Sequence, residues 1–176
     1  MKIRKFDFRN VKNTNDTALK IIKYSNLDFG MVFSELQKNG KGQYGKKWIS
    51  YKGNLFVSFF FNLNRINLSI KQLTKINCLL VKKLISKFYK KRITFKAPND
   101  LLIKGKKISG ILQEIIIKNN HKFLIIGIGI NVVKSPNIKN YPTTNLLEII
   151  GKKIDYRLLA NLLRSIFEKN ILKYYK

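Results

Sequence analysis

The chain has 176 residues, 45% of them apolar, and a single cysteine, Cys78. Such a length can enclose one hydrophobic core unaided, and one cysteine excludes a disulfide framework and suits a reducing cytoplasm. The formal charge is +27, but only six of the 36 basic residues are arginine, which argues against a nucleic-acid reader built on bidentate Arg contacts and for a lysine-rich solvated surface that steers anions.

No apolar stretch near Met1 reads as a signal peptide, and none elsewhere is long enough to span a bilayer. Ala18, Leu19, Ile21 and Ile22 follow a short helical pattern, with Thr14, Asn15 or Asp16 suited to cap it. Phe29 to Glu35 reads as a buried strand, and Leu55 to Phe61 as a second one, rich in aromatic and β-branched residues. Leu73, Ile76, Leu80, Leu84 and Phe88 recur at spacings of three and four, which predicts a long helix over 68–89. Arg92 to Lys96 reads as a short strand interrupted at Pro98, because proline cannot donate to a ladder. Leu101 to Ile103, a turn at Lys104-Gly105-Lys106, Ile108 to Ile117, a turn at Asn119-Asn120 and Phe123 to Val133 then read as a run of hairpins. Ser135 to Thr144 reads as a loop, Thr144 or Asn145 as the cap of a short helix ending near Gly151, and Leu158 to Phe167 as a last amphipathic helix. This order predicts an α+β fold with a mixed, largely antiparallel sheet flanked by helices, in one domain over 1–176.

Between the first two strands lies Gln37-Lys38-Asn39-Gly40-Lys41-Gly42-Gln43-Tyr44-Gly45-Lys46-Lys47-Trp48. Glycines let the backbone approach a ligand closely and present free N–H groups to an anion, while interleaved lysines add fixed charge. The stretch reads either as a solvated turn or as a phosphate- or carboxylate-holding loop.

Three further stretches join it in order: Thr14-Asn15; Lys96-Ala97-Pro98-Asn99-Asp100 with Gly105-Lys106-Lys107-Ile108-Ser109-Gly110-Ile111-Leu112-Gln113-Glu114; and Gly127-Ile128-Gly129-Ile130-Asn131. Together the four resemble the catalytic domain of the biotin–protein ligases, from about Thr14 to the final helix. The resemblance implies ATP-dependent attachment of biotin to a lysine of a carboxylase's biotin carboxyl carrier domain, through biotinyl-5'-adenylate, in the cytoplasm. It implies ATP and Mg²⁺ as requirements, and it leaves a homodimer open. Neither an N-terminal DNA-binding domain nor a C-terminal β-barrel domain is expected.

Residue by residue, the resemblance implies Lys107 and Lys41 as the catalytic cations. It places Asn13, Thr14, Asn15, Gln37, Gly40, Lys41, Gly42, Gln43, Lys107 and Gly110 at biotin. It places Lys41, Gly42, Gly45, Lys46, Trp48, Asn99 and Asn131 at the nucleotide, and gives Asp100 to the metal. Trp48 suits either a place beside the adenine or plain core packing. The chain departs from the family's pattern at Asn13, where Ser is usual, at Lys41, Gln43 and Tyr44, where arginines are common, and at Ala97, where Trp is usual. Lysine offers a point charge instead of a planar fork, which implies a weaker hold on the adenylate. Two other enzyme readings share the fold, a lipoate or octanoate ligase and a cysteine-dependent transferase. A short homologue that binds biotin or adenylate without efficient transfer is a third alternative.

Overall fold

The computed structural model describes residues 2–175. A seven-stranded sheet is assembled from β1 (Lys5–Val11), β2 (Phe29–Gln37), β5 (Leu55–Asn62), β6 (Ile93–Lys96), β7 (Asp100–Ile103), β8 (Lys106–Lys118) and β9 (His121–Ile130). Its order is β1-β2-β5-β9-β8-β7-β6. Only β1 and β2 run parallel, and every other neighbouring pair is antiparallel. The expected mixed, largely antiparallel α+β fold is the one observed.

Strand β5 explains how the sheet is covered. All eight of its residues are buried, and alternate side chains face opposite layers. Leu55, Val57, Phe59 and Phe61 enter the main core beneath α2 (Ile70–Ile85) and α4 (Tyr156–Ile171). There Phe59 stacks on Phe167 with ring centroids 3.9 Å apart. Phe60 faces the other side, where it packs with Val32, Phe123 and Ile125 against Ala18 and Ile22 of α1 (Thr14–Tyr24). Farther along that second face the side chains shrink, to Ser58 on β5 and to Gly127 and Gly129 on β9. The cavity opens where the apolar cover stops.

Several boundaries differ from the sequence expectation for local reasons. Helix α1 is capped by Asn13, whose Oδ1 accepts from the Asp16 amide at 2.8 Å, rather than by the three residues after it. Helix α2 ends at Ile85, four residues short of the expected Tyr89, because its last bonds tighten: Lys87 N donates to Leu84 O and Phe88 N to Ile85 O. Strand β9 stops at Ile130, since Asn54 Oδ1 accepts from the amides of Val132, Val133 and Lys134 and turns the chain away. Asn145 caps the short α3 (Leu146–Ile150), which closes at Gly151 with φ +73°. Strand β1 was not foreseen: it is an edge strand with four of its seven residues exposed, and its alternation is confined to Phe6 and Phe8 among Lys5, Asp7 and Arg9.

Candidate active site

The cavity of about 650 Å³ lies on the α1 face of the sheet, at the end where β8 and β9 carry glycines. Its floor is largely main chain. A Cβ at Gly127 would collide with Asn15 Oδ1, and one at Gly129 would lie 2.5 Å from the Trp48 indole. A Cβ at Gly110 would meet Trp48 at 2.7 Å, Lys107 at 3.2 Å and Asp100 at 3.3 Å. Glycine at these positions is therefore a packing requirement imposed by what lies on the floor.

One end of the cavity is neutral and hydrogen-bonded. Gln37, at the end of β2, accepts through Oε1 from the Thr14 amide (2.8 Å) and the Thr14 hydroxyl (3.1 Å). The Ser58 hydroxyl lies 2.7 Å from Thr14 Oγ1 and 2.5 Å from Asn15 Oδ1. Asn15 Nδ2 in turn donates to Glu114 Oε2 at 2.5 Å. Thr14, Asn15 and Ser58 are at most 4% exposed, so each bond is made where an unpaired polar atom would be costly.

The other end is cationic. Six lysines (Lys41, Lys46, Lys47, Lys96, Lys107 and Lys139) line the cavity, with Asp100 its single carboxylate. Lys107 Nζ sits 2.8 Å from Asp100 Oδ1, with side-chain exposures of 19% and 12%. A register shift delivers it there: Leu101 faces Ser109 and Leu102 faces Lys107, which leaves Ile108 as the extra residue of a bulge. Ile108 drops into the main core, and Lys107 is aimed at the cavity, a common use of a bulge.

The loop after β2 forms the cavity's rim. Two-residue strands β3 (Gly40–Lys41) and β4 (Lys47–Trp48) pair and bring Trp48 back over the floor. The turn between them uses positive φ at Tyr44 (54°) and Gly45 (73°). Lys41 Nζ lies 2.5 Å from Asp16 Oδ1, which pins the loop to the first turn of α1. Burial pushes the Asp16 carboxyl up, but the hydrogen bonds from Lys41 and Asn13 and the charges of Lys41 and Lys12 outweigh it and hold the group below its usual range. The same contact raises the Lys41 ammonium.

Most of the residues singled out from sequence converge on this cavity. Asn13, Thr14, Asn15, Gln37, Lys41, Gly42, Gln43, Lys46, Trp48, Asn99, Asp100, Lys107, Gly110 and Asn131 all line it. Gly40 and Gly45 do not, and instead line a second cleft between the outer side of the loop and β8. Gly40 is buried, with no room for a Cβ against the Trp48 carbonyl, so its role is to let the hairpin close. Asn99 spends its amide on the Ile111 carbonyl at 2.7 Å, and Asn131 donates to the Thr144 carbonyl at 3.1 Å. Asn131 Oδ1 is buried without a partner. Sequence reasoning missed Ser58 and Tyr141, read Asp16 only as a candidate cap, and gave Glu114 no role. A lone polar residue in a strand or loop carries no signal until the fold gives it a partner.

Cys78 lies in α2 within the main core, on the face of the sheet opposite the cavity. Burial, with the charge of Asp100 adding to it, pushes its thiol up to about 11, which is the reverse of an activated nucleophile. Among the described residues no group of three or more His, Cys, Asp or Glu side chains is placed to hold a metal. No helix among them is long and apolar enough to cross a membrane.

Comparison with known proteins agrees with this geometry. The chain is 30% identical over 172 residues to the bifunctional ligase/repressor BirA of Bacillus subtilis, covering 93% of this chain and 52% of that protein. It is 31% identical over 101 residues to BirA of Escherichia coli, covering 56% of this chain and 32% of that protein. The chain thus spans about half the length, or less, of these curated relatives. Among solved structures, a biotin protein ligase of Aquifex aeolicus in complex with biotin and ATP superposes with a TM-score of 0.81 at 27% identity, covering 98% of this chain and 72% of that one. A biotin protein ligase of Leishmania major in complex with biotinyl-5-AMP shares the fold, with a TM-score of 0.83 at 22% identity, covering 98% and 76%. A family model matches residues 8–131, a stretch that holds the Thr14-Asn15 pair, the glycine loop, Lys107 and the floor glycines, and the chain belongs to the biotin/lipoate A/B protein ligase family.

Proposed function

We propose that the chain is the catalytic domain of a biotin–protein ligase that joins biotin to a lysine of a carboxylase's biotin carboxyl carrier domain, in the cytoplasm. In the first step a biotin carboxylate oxygen attacks the α-phosphorus of ATP, and the bond to pyrophosphate breaks. In the second the acceptor amine attacks the acyl carbon of biotinyl-5'-adenylate, AMP leaves, and the amine's proton is released. The observation that carries this reading is the cavity's polarity, with a preformed neutral network at one end, Lys107 at the other, and bare main chain between them.

The neutral end suits an uncharged ring with hydrogen-bonding edges, held by Thr14, Asn15 and Gln37, with Asn13 and Gln43 beside it. The ring's carboxylate then points toward Lys107, past Gly110. The step brings an anion against a polyanion, so fixed positive charge in a site of low dielectric provides the main stabilisation. Lys107 is the best-placed cation, with Lys41 and Lys46 contributing from the rim. Gly42 borders the cavity with its amide already donated to the Lys46 carbonyl at 2.7 Å, and Trp48, Asn99 and Asn131 flank the nucleotide.

Mg²⁺ belongs here to the substrate, MgATP. A single cavity carboxylate, Asp100, fits an ion carried mainly by phosphate oxygens and water, and does not fit a protein-built cage.

The test is incubation with biotin, MgATP and a carrier domain, followed by mass spectrometry of the carrier. The reading expects one added biotinyl group, and a carrier unmodified at any enzyme concentration refutes it. Lipoate in place of biotin is the control. P. falciparum LipL1, solved in complex with lipoate, shares the fold with a TM-score of 0.63 at 16% identity. Transfer of lipoate in preference to biotin would reassign the substrate without changing the chemistry.

A further inference from the structure

Tyr141 stands in the 135–145 connection after β9, where no motif draws attention to it. Its hydroxyl donates to Asp100 Oδ2 at 2.5 Å, while the other carboxylate oxygen, Oδ1, lies 2.8 Å from Lys107 Nζ as an ion pair that lacks hydrogen-bond alignment. The two oxygens of one carboxylate are thus taken by two different groups. The ring is engaged as well: Lys96 Nζ lies 4.4 Å from its centroid and Lys107 Nζ 5.4 Å. The adjoining backbone is tied to Lys107 itself, whose amide donates to Pro142 O at 2.8 Å and whose carbonyl accepts from the Thr144 amide at 2.9 Å. Tyr141, Asp100 and Lys107 therefore form one unit closed by both side chains and main chain.

A carboxylate with one partner rotates and shares its charge with water. One anchored by a hydroxyl at one oxygen keeps its other oxygen, and its charge, in a fixed place beside the ammonium, much as carboxylates behind metal-ligating histidines do. Hydroxyl and ring do separable work, because only the hydroxyl reaches Asp100 while the ring faces the two ammonium groups.

We propose that Tyr141 is a positioning residue that aims Lys107 by holding Asp100, in the adenylate-forming step inferred above, a reading on which the catalytic part of this inference rests. Tyr141→Phe removes the hydroxyl and keeps the ring. In a pyrophosphate-release assay with biotin and MgATP, this variant is expected to lose about tenfold in kcat, the scale typical of such supporting groups, with its KM for biotin unchanged. Equal kcat in variant and wild type overturns the proposal. A second measurement needs no turnover: brief acetic anhydride labelling, with mass spectrometry of Lys107 against the exposed Lys104. Lys107 is expected to be acylated several-fold faster in Tyr141→Phe than in wild type, in ratio to the reference lysine, and an unchanged ratio overturns the hold on Lys107. Wild-type protein that releases no pyrophosphate would remove the ligase reading, while the labelling ratio would still decide for or against the hold.

Discussion

The two ends of the cavity are built on opposite principles. At the neutral end Thr14, Asn15, Gln37 and Ser58 bind one another, with the Glu114 carboxylate behind Asn15 and outside the cavity lining, and nearly every donor has an acceptor before any ligand arrives. Around the rest of the cavity Lys46, Lys47, Lys96, Lys107 and Lys139 share one lining carboxylate, Asp100, while Lys41 at the rim is paired with Asp16, so the charge is unbalanced and awaits anions. The first arrangement selects by shape and hydrogen-bond pattern, and its energy is insensitive to salt. The second attracts any polyanion and depends on its surroundings for discrimination. A site that must recognise a neutral ring and activate a phosphate needs both, and the glycine floor joins them without adding a side chain of its own.

The sharpest break of that contrast is Lys107→Ala. Removing the best-placed cation is expected to lower the adenylation rate by about 10²–10³-fold, the range seen when a charge-stabilising group is deleted, measured as pyrophosphate release. Circular dichroism is expected to match wild type, with stability lowered by about 1–3 kcal/mol because the mostly buried Asp100 loses its counter-charge; activity close to wild type would dismiss Lys107 from the chemistry. Gly127→Ala attacks the neutral end. The new methyl collides with Asn15 Oδ1, so biotin affinity measured by calorimetry is expected to fall about tenfold or more, at a cost to stability of about 1–3 kcal/mol. ATP affinity should change far less, and an equal loss of both ligands would erase the distinction between the ends.

Salt separates the ends without mutation. Raising ionic strength from 0.05 to 0.5 M is expected to weaken ATP binding by roughly severalfold while leaving a neutral biotin amide nearly unaffected, because exposed charges are screened within a few ångströms. Parallel titrations of the two ligands read this directly. The smallest effect is at the rim. The Lys41–Asp16 pair is partly exposed, at 41% and 26%, so Asp16→Asn should cost about 0.2–1 kcal/mol in denaturant melts. Its pH dependence has a defined sign. The Asp16 carboxyl is lowered on folding, so its contribution is present above the ordinary value of 3.8 and is lost as pH falls through the folded value. The Lys41 ammonium is raised, so its contribution is complete below the ordinary 10.5 and is lost as pH rises through the folded value. The wild-type minus Asp16→Asn difference should therefore be flat from pH 5 to 9, and a slope within that range would mean the pair is not what holds the loop.

Sequence reading captured most of the scaffold because its central elements carry strong periodic signals. Strand β5, with every residue buried, and α2, with Leu73, Leu80 and Leu84 on one stripe, announce themselves in this way. Strand β1 was lost because, on an exposed edge, its alternation is short, only Phe6 and Phe8 among charged residues. The cavity's main cluster was readable through motif and family likeness, whereas Gly40 and Gly45 fall outside its lining: spacing along a loop does not say which side of a hairpin a glycine will face. The site roles of Ser58, Asp16 and Tyr141 were invisible for a different reason. Each acquires meaning only from a partner distant in sequence, 44 residues away for Ser58–Thr14, 25 for Lys41–Asp16 and 41 for Tyr141–Asp100.

The bare floor limits how such a pocket can be re-engineered. Gly110, Gly127 and Gly129 sit directly against Trp48 and Asn15, so a library that varies these three positions would mostly yield clashes instead of new preferences. Adaptation to an altered cargo has to enter through the walls, at Gln37, Gln43 and Leu112, where side chains already border the space.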